Sequence, residues 1–297
     1  MRASKLLSAV LVLAAASVAS ASIIQFDPDG SGPDTAVSAA SFDWLPGDAM
    51  LVYAPGEATG TVYYQAKLGS VLDANGHVLS TPGLNAANGF EITAVFGIDV
   101  NVTAASNVLE LSQIAAAPAT NYFSVYYDTT QDANNLAGTG FRLSPTATKI
   151  YGAGINYALA VVGGSGLTSP LDLADSSQYV GVTTSVSSGG GTVAGVTTSE
   201  NNAFFLDGTN LANMTTNGTL ITPFSDVDPS QTFEVGPDGS TTVIPYLVTS
   251  INGDSGDVAL ESDAATSFTL TNQPNTPEPA TLVLLPLAAL VGRRRRA

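Results

Sequence analysis

The chain has no cysteine, one histidine, one tryptophan and only nine lysines and arginines in 297 residues. Each scarcity excludes a class of chemistry. Without cysteine there is no disulfide, no thiolate nucleophile, no cysteine-ligated zinc and no lipoprotein acylation. A Ser-His-Asp triad would have to use His77, which lies in "LDANGHVL". There Asn75-Gly76 signals a tight hairpin, so His77 reads as an exposed residue opening a strand. Of the nine cations, Arg2, Lys5 and Arg293 to Arg296 are terminal, leaving Lys67, Arg142 and Lys149 between them. All 25 Asp and Glu lie after residue 21. Such a body repels nucleic acid and anionic lipid, which bind through Lys and Arg, and it attracts divalent cations.

Apolar runs of membrane-spanning length are also missing, but two shorter ones mark the ends. The start, "MRASKLLSAVLVLAAASVASAS", has Arg2 and Lys5, an apolar stretch from Leu6 to Ala16, and the small residues Ala19 and Ala21. That order is a signal peptide, expected as a helix over 1–21 and cleaved after Ala21. Near the other end, 280–292 would form a hydrophobic helix of roughly 20 Å, against a hydrocarbon core of roughly 30 Å. Pro286 interrupts it, and four arginines follow. Arginines resist translocation, so this segment is expected to stop transfer and hold the chain in the inner membrane only transiently.

Between the ends, Ser, Thr, Asn, Gly and β-branched residues form short runs separated by turn signals. The clearest is 90–103, "FEITAVFGIDVNVT". Ile92, Ala94, Phe96, Ile98, Val100 and Val102 share one face, and Glu91, Thr93, Asp99, Asn101 and Thr103 share the other. That alternation predicts a half-buried antiparallel strand, with Gly97 as a bulge or bend. Further strands are predicted at 61–68, 107–114, 121–127, 147–162, 178–186, 192–198, 203–206, 231–235, 241–251, 257–261 and 266–271. The aromatics of "NYFSVYY" are expected to fill a core, and Trp44 to anchor a core or an edge. Helical turns are placed at 49–54 and 170–174, and the glycine run 187–191 is read as a hairpin tip. The fold class is all-β, a β-sandwich or jelly-roll-like antiparallel body. The domains are the signal peptide 1–21, a β-rich extracellular domain 22–270, a polar proline-containing stalk 271–276 and a tail 277–297.

Candidate chemistry is sparse. "FDPDGSGPD" places Asp27, Asp29 and Asp34 around two glycines, as in the opening of a calcium loop. The distal ligands of an EF-hand are replaced by Ser31 and Ser38, so a plain Asp/Gly/Pro turn competes with the metal site. Calcium is the one cofactor suggested. Asp226/Asp228, Asp254/Asp257 and Glu261/Asp263 are carboxylate pairs of the kind glycosidases use, but each lies in or beside a turn. No catalytic residue is assigned, and the chain is read as a non-enzyme.

The tail carries a specific pattern: Pro277, Glu278 and Pro279, then a short apolar segment, then Arg293, Arg294, Arg295 and Arg296. This order resembles the PEP-CTERM sorting signal; Thr276 stands where that signal often has Val. The resemblance covers about the last twenty residues. It implies export by a Gram-negative bacterium, with signal peptidase and an exosortase as processing partners. It also implies a destination at the cell surface or in the extracellular matrix. "SFDWLPGDAM", "YYQAKL", "GFEITAVFG" and "FSVYYDTTQDANNLAGTGF" are similar to stretches of flocculation-associated PEP-CTERM proteins. That likeness implies adhesion or flocculation with extracellular polysaccharide. The alternatives are a carbohydrate-binding surface module, which requires exposed aromatics along a groove, and a secreted hydrolase, which requires carboxylates converging in a cleft.

Mass spectrometry of the exported protein from its host is expected to find an N-terminus at Ser22 and no trace of Arg293 to Arg296. Intact arginines on surface-located protein would contradict the sorting expectation.

Overall fold

Alternation along a strand sends successive side chains to opposite faces, and here it builds a closed ring. The computed structural model describes residues 22–52, 58–105, 108–114, 120–135, 137–163, 187–207, 210–222, 232–234, 244–245 and 258–271. The strands, in chain order, begin with β1 (Ile24–Phe26), β2 (Val37–Ala39), β3 (Ser41–Trp44), β4 (Gly47–Val52) and β5 (Thr59–Leu72). They continue with β6 (Glu91–Ala105), β7 (Val108–Gln113), β8 (Tyr122–Asp128), β9 (Thr148–Gly163) and β10 (Ser187–Glu200). The last are β11 (Leu211–Thr222), β12 (Thr232–Phe233), β13 (Ile244–Pro245) and β14 (Val258–Leu270). A 3-10 turn spans Pro33–Thr35.

Eight staves form the ring, in chain order, and every pairing is antiparallel. The first stave is β3 followed by β4, with Leu45-Pro46 between them. Proline has no N–H for the ladder, which suits this break. Both pieces pair with β5 on one side and with β14 on the other. β5 pairs with β6, whose far part takes β7 and whose near part takes β8. β7 and β8 both lean on β9, and β10, β11 and β14 follow. The ring closes where the last stave meets the first, Ser267 opposite Ser41 and Glu261 opposite Asp48.

This is an up-and-down β-barrel. The all-β, antiparallel expectation holds, but two sheets packed face to face as a sandwich are replaced by one closed sheet. A sandwich leaves edge strands with unpaired N–H and C=O groups, whereas here the first and last staves satisfy each other. Other expectations shift too. The glycine run 187–191 is no hairpin tip: it opens β10, where Gly189 lies between Val162 and Leu220. Residues 49–52 of the expected helical turn lie in β4, and 203–206 is a turn with one bridge, Phe205 to Phe26. Gly97 is in regular register with Tyr63 and Tyr122; its missing side chain makes room for the Tyr122 ring, which a Cβ would meet at 2.8 Å. The segments 170–174 and 178–186, and the helices expected at both chain ends, fall outside the described residues.

One end of the barrel is packed with rings. Phe26, Phe42, Trp44, Phe123, Tyr151, Phe205 and Phe268 are almost fully buried. Neighbouring centroids lie between 4.6 Å (Phe26–Phe42) and 6.4 Å (Trp44–Phe123), in tilted or edge-on pairs. The indole N–H of Trp44 donates to Thr266 Oγ1 at 2.8 Å and the Tyr151 hydroxyl pairs with Thr197 Oγ1 at 2.9 Å, so both polar edges in this plug are satisfied. The β1–β2 hairpin and residues 201–207 cover the plug, tied by Asp27 N–H to the Phe204 carbonyl and Leu206 N–H to the Gln25 carbonyl. Both ends of the described barrel meet here, where Ser22 N–H donates to the Phe268 carbonyl and its hydroxyl accepts from Leu270 N–H.

The outer face differs around the ring. On β11 and β14 it is polar: Asn213, Asn217, Thr219 and Asp263 are exposed while Met214, Ala264 and Phe268 point inward. A membrane-spanning barrel has the opposite arrangement, apolar outside and polar within. Over β5, β6 and β8 a second layer covers the outside, so Glu91, Thr93 and Val95 are buried although they lie on the face expected to be solvated. Val95, Tyr122, Tyr126 and Phe141 pack together there. Glu234 fastens the layer: its carboxylate accepts from the N–H groups of Gly140, Arg142 and Leu143, and its own N–H donates to Gln65 Oε1.

Phe42→Ala removes a ring in contact with four other aromatics. It is expected to lower unfolding stability by about 3–5 kcal/mol. Tyr157→Ala, on the exposed face, is expected to change it by about 0.5 kcal/mol or less. Urea denaturation followed by tryptophan fluorescence measures both; equal losses would contradict the packing described.

Candidate functional site

At the other end of the barrel the inward positions become small. Ala49 and Leu51 from β4, Val62 and Tyr64 from β5, and Ile98 and Val100 from β6 begin the wall. Leu111 from β7, Ala158 and Ala160 from β9, Gly191 and Val193 from β10, Thr216 and Gly218 from β11 and Ala264 from β14 complete it. All eight staves contribute. Where the plug fills the barrel with rings, these residues leave a small cavity of about 70 Å³, open on one side. An eight-stranded barrel is just wide enough to be filled by its side chains or to hold one small ligand. Here the choice is made by Ala and Gly at inward positions.

The wall is nearly devoid of polarity. No charged residue lines it among the described residues. Thr216 spends its hydroxyl on Thr266, at 2.6 Å, and Thr192 donates to Asn217. The Tyr64 ring stacks on Phe96 with centroids 4.8 Å apart. Its hydroxyl is buried without a hydrogen-bond partner. Burial, reinforced by Asp263 and Asp48, pushes this phenol well above its ordinary pKa, so it is neutral. Such a surface can exclude water and hold an apolar guest.

The residues singled out in the sequence lie elsewhere. Asp27 and Asp29 come together around Thr35, whose hydroxyl reaches both carboxylates at 2.7 and 3.1 Å. Asp27 also accepts from Gly32 N–H, and Asp29 from Ser31 N–H. Partial burial acts upward on Asp29, but the hydrogen bonds from Ser31 and Thr35 outweigh it and hold its pKa below the ordinary value. Asp27, Asp29 and Asp34 do not converge as a three-carboxylate set; among the described residues the set that does is Glu91, Asp128 and Asp132. The first two aspartates therefore do the work of a turn. His77 is exposed, in a turn closed by Asp73, with Nδ1 3.3 Å from Asp73 Oδ2. Of the carboxylate pairs, Glu261 is buried and Asp263 exposed on the outer face of β14. Asp226, Asp228, Asp254 and Asp257 lie outside the described residues, as do Ala19, Ala21, Pro277 to Pro279 and Arg293 to Arg296.

Sequence reading missed the cavity because a void has no motif. Its only trace is the alternation of small residues, Ala158 and Ala160 or Gly191 and Val193, at inward positions. That pattern becomes meaningful once the ring is known to close. Comparison with protein-family models, with curated proteins and with solved structures finds no match for this chain.

Proposed function

We propose that the chain is an exported binding protein of the cell surface or extracellular matrix, whose barrel takes one slim, neutral, apolar ligand into its unplugged end. The apolar cavity shared by all eight staves carries this reading. A neutral ligand is favoured because the wall has no cation to pair with an anion and the whole chain carries a formal net charge of −16. An alkyl chain with a small uncharged head fits these terms. The reading assigns no catalysis.

The terminal segments supply the address in this proposal. The N-terminal signal sends the chain out, and the Pro277-Glu278-Pro279 tail, with its apolar run and arginines, hands it to an exosortase-type system. Both described termini lie at the plugged end, where Ser22 joins β14. Cuts beside Ser22 and near Pro277 therefore remove nothing from the barrel wall. A tether at that end leaves the cavity at the other.

Adhesion to extracellular polysaccharide, or flocculation, is the second reading. It is favoured by the likeness of segments within 41–141 to flocculation-associated proteins and by an acidic exterior that divalent cations could bridge. A sugar-stacking platform has less support: Tyr157 is the one aromatic among the large exposed apolar side chains described.

Calorimetric titration of the mature protein with 1-decanol is expected to give a single site, and decanoate to bind more weakly. Ala264→Leu places extra bulk against the cavity wall. It is expected to weaken decanol binding at least about tenfold while leaving the melting temperature unchanged or higher. Absence of decanol binding, or undiminished binding to Ala264→Leu, would contradict the cavity reading.

A further inference from the structure

Glu91 opens β6 and Asp128 closes β8, and the register places them directly opposite each other. Both are buried, with 0% and 2% of their surface exposed. Like charges facing each other across an antiparallel pair are destabilising, and more so out of water. Asp132 brings a third carboxylate, and one oxygen from each of the three lies within 4.8 Å of the others.

The hydrogen-bond assignments show what is left over. Glu91 Oε1 accepts from the N–H groups of Asp132 and Ala133. Asp128 Oδ1 accepts from Thr130 N–H and the Thr146 hydroxyl. Glu91 Oε2 and Asp128 Oδ2 are buried and accept no hydrogen bond. Lys67 stands against the group, with Nζ 3.6 Å from Glu91 Oε2. One ammonium against three carboxylates leaves a deficit of positive charge.

We propose that Glu91, Asp128 and Asp132 form a calcium site that fastens the covering segment after β8 to the outside of the barrel. The ligands are all hard oxygens, which suit Ca²⁺ or Mg²⁺ and not a softer metal. Two oxygens on one Ca²⁺, each about 2.3–2.6 Å from it, can lie up to about 5 Å apart, so oxygens within 4.8 Å of one another can share one ion. Asp132 and Lys67 also line a polar hollow on the surface with Gln131, Asn134 and Asn135, which gives an ion a way in. The site is separate from the loop of Asp27, Asp29 and Asp34 and from the cavity.

The test is titration of the EDTA-stripped mature protein with CaCl₂ alone, read by calorimetry and by melting temperature. Binding is expected with Kd of about 10⁻⁴–10⁻³ M, the range of extracellular modules, together with a rise in Tm. Asp132 is exposed, so Asp132→Asn can fold normally; it is expected to weaken calcium binding at least about tenfold. Asp29→Asn is expected to leave that affinity unchanged. Lys67→Gln is expected to lower Tm without calcium and to regain it with calcium, since the ion replaces the lost charge. The proposal is overturned if calcium neither binds nor raises Tm, if Asp132→Asn binds as the parent does, if binding is lost in Asp29→Asn, or if calcium fails to rescue Lys67→Gln.

Discussion

Everything in this protein depends on the pairing of the last stave with the first. β14 pairs with Ser41 to Asp43 of β3 and with Gly47 to Leu51 of β4, and that contact turns a meander into a ring. Closure removes the free edges that would invite aggregation of a β-rich chain without disulfides. It also creates an inside. Once an inside exists, each inward position must be filled or left empty. The chain does both, with rings at the end where it enters and leaves the barrel and with alanine and glycine at the other.

That division links stability to function. Aromatic side chains contribute the most buried area per residue, and concentrating seven of them in the plug stabilises the ring from one end. The opposite end can then forgo packing density without loss of the fold. The second layer over β5, β6 and β8 adds a different support. Beside the cluster of Val95, Tyr122, Tyr126 and Phe141 it is fastened by polar groups, with Glu234 holding three backbone N–H groups and Glu91 holding two. Buried carboxylates that collect backbone N–H groups are strong fasteners, provided their remaining charge is met.

Much of the fold was legible in the residues. The alternation of Ile92 through Val102 gave β6 and its inward face, and Trp44 and the aromatics of 122–127 fell into packed positions as expected. What failed has physical reasons. β11, "LANMTTNGTLIT", was not foreseen, because its inward residues Met214, Thr216 and Gly218 alternate with Thr and Asn and give little hydrophobic contrast. The strand expected at 192–198 is the body of β10, but its opening, 187–191, looked like a flexible tip because glycine lacks intrinsic strand preference; pairing on both sides overrides that. A sandwich and a barrel present the same alternation, so closure itself could not be read. Neither the cavity nor the Glu91–Asp128 opposition is local in sequence: the first needs eight staves, and the second joins residues 37 positions apart through register alone.

The central claim is that the unplugged end of a closed barrel admits an apolar guest. Methyl NMR of alanine-labelled protein titrated with a short n-alkane tests it most directly. The account predicts selective, saturable shifts of the Ala49, Ala158, Ala160 and Ala264 methyls, with Ala39 and Ala153 near the plug unmoved. Shifts spread evenly over surface and core, or none at the cavity alanines, would contradict it.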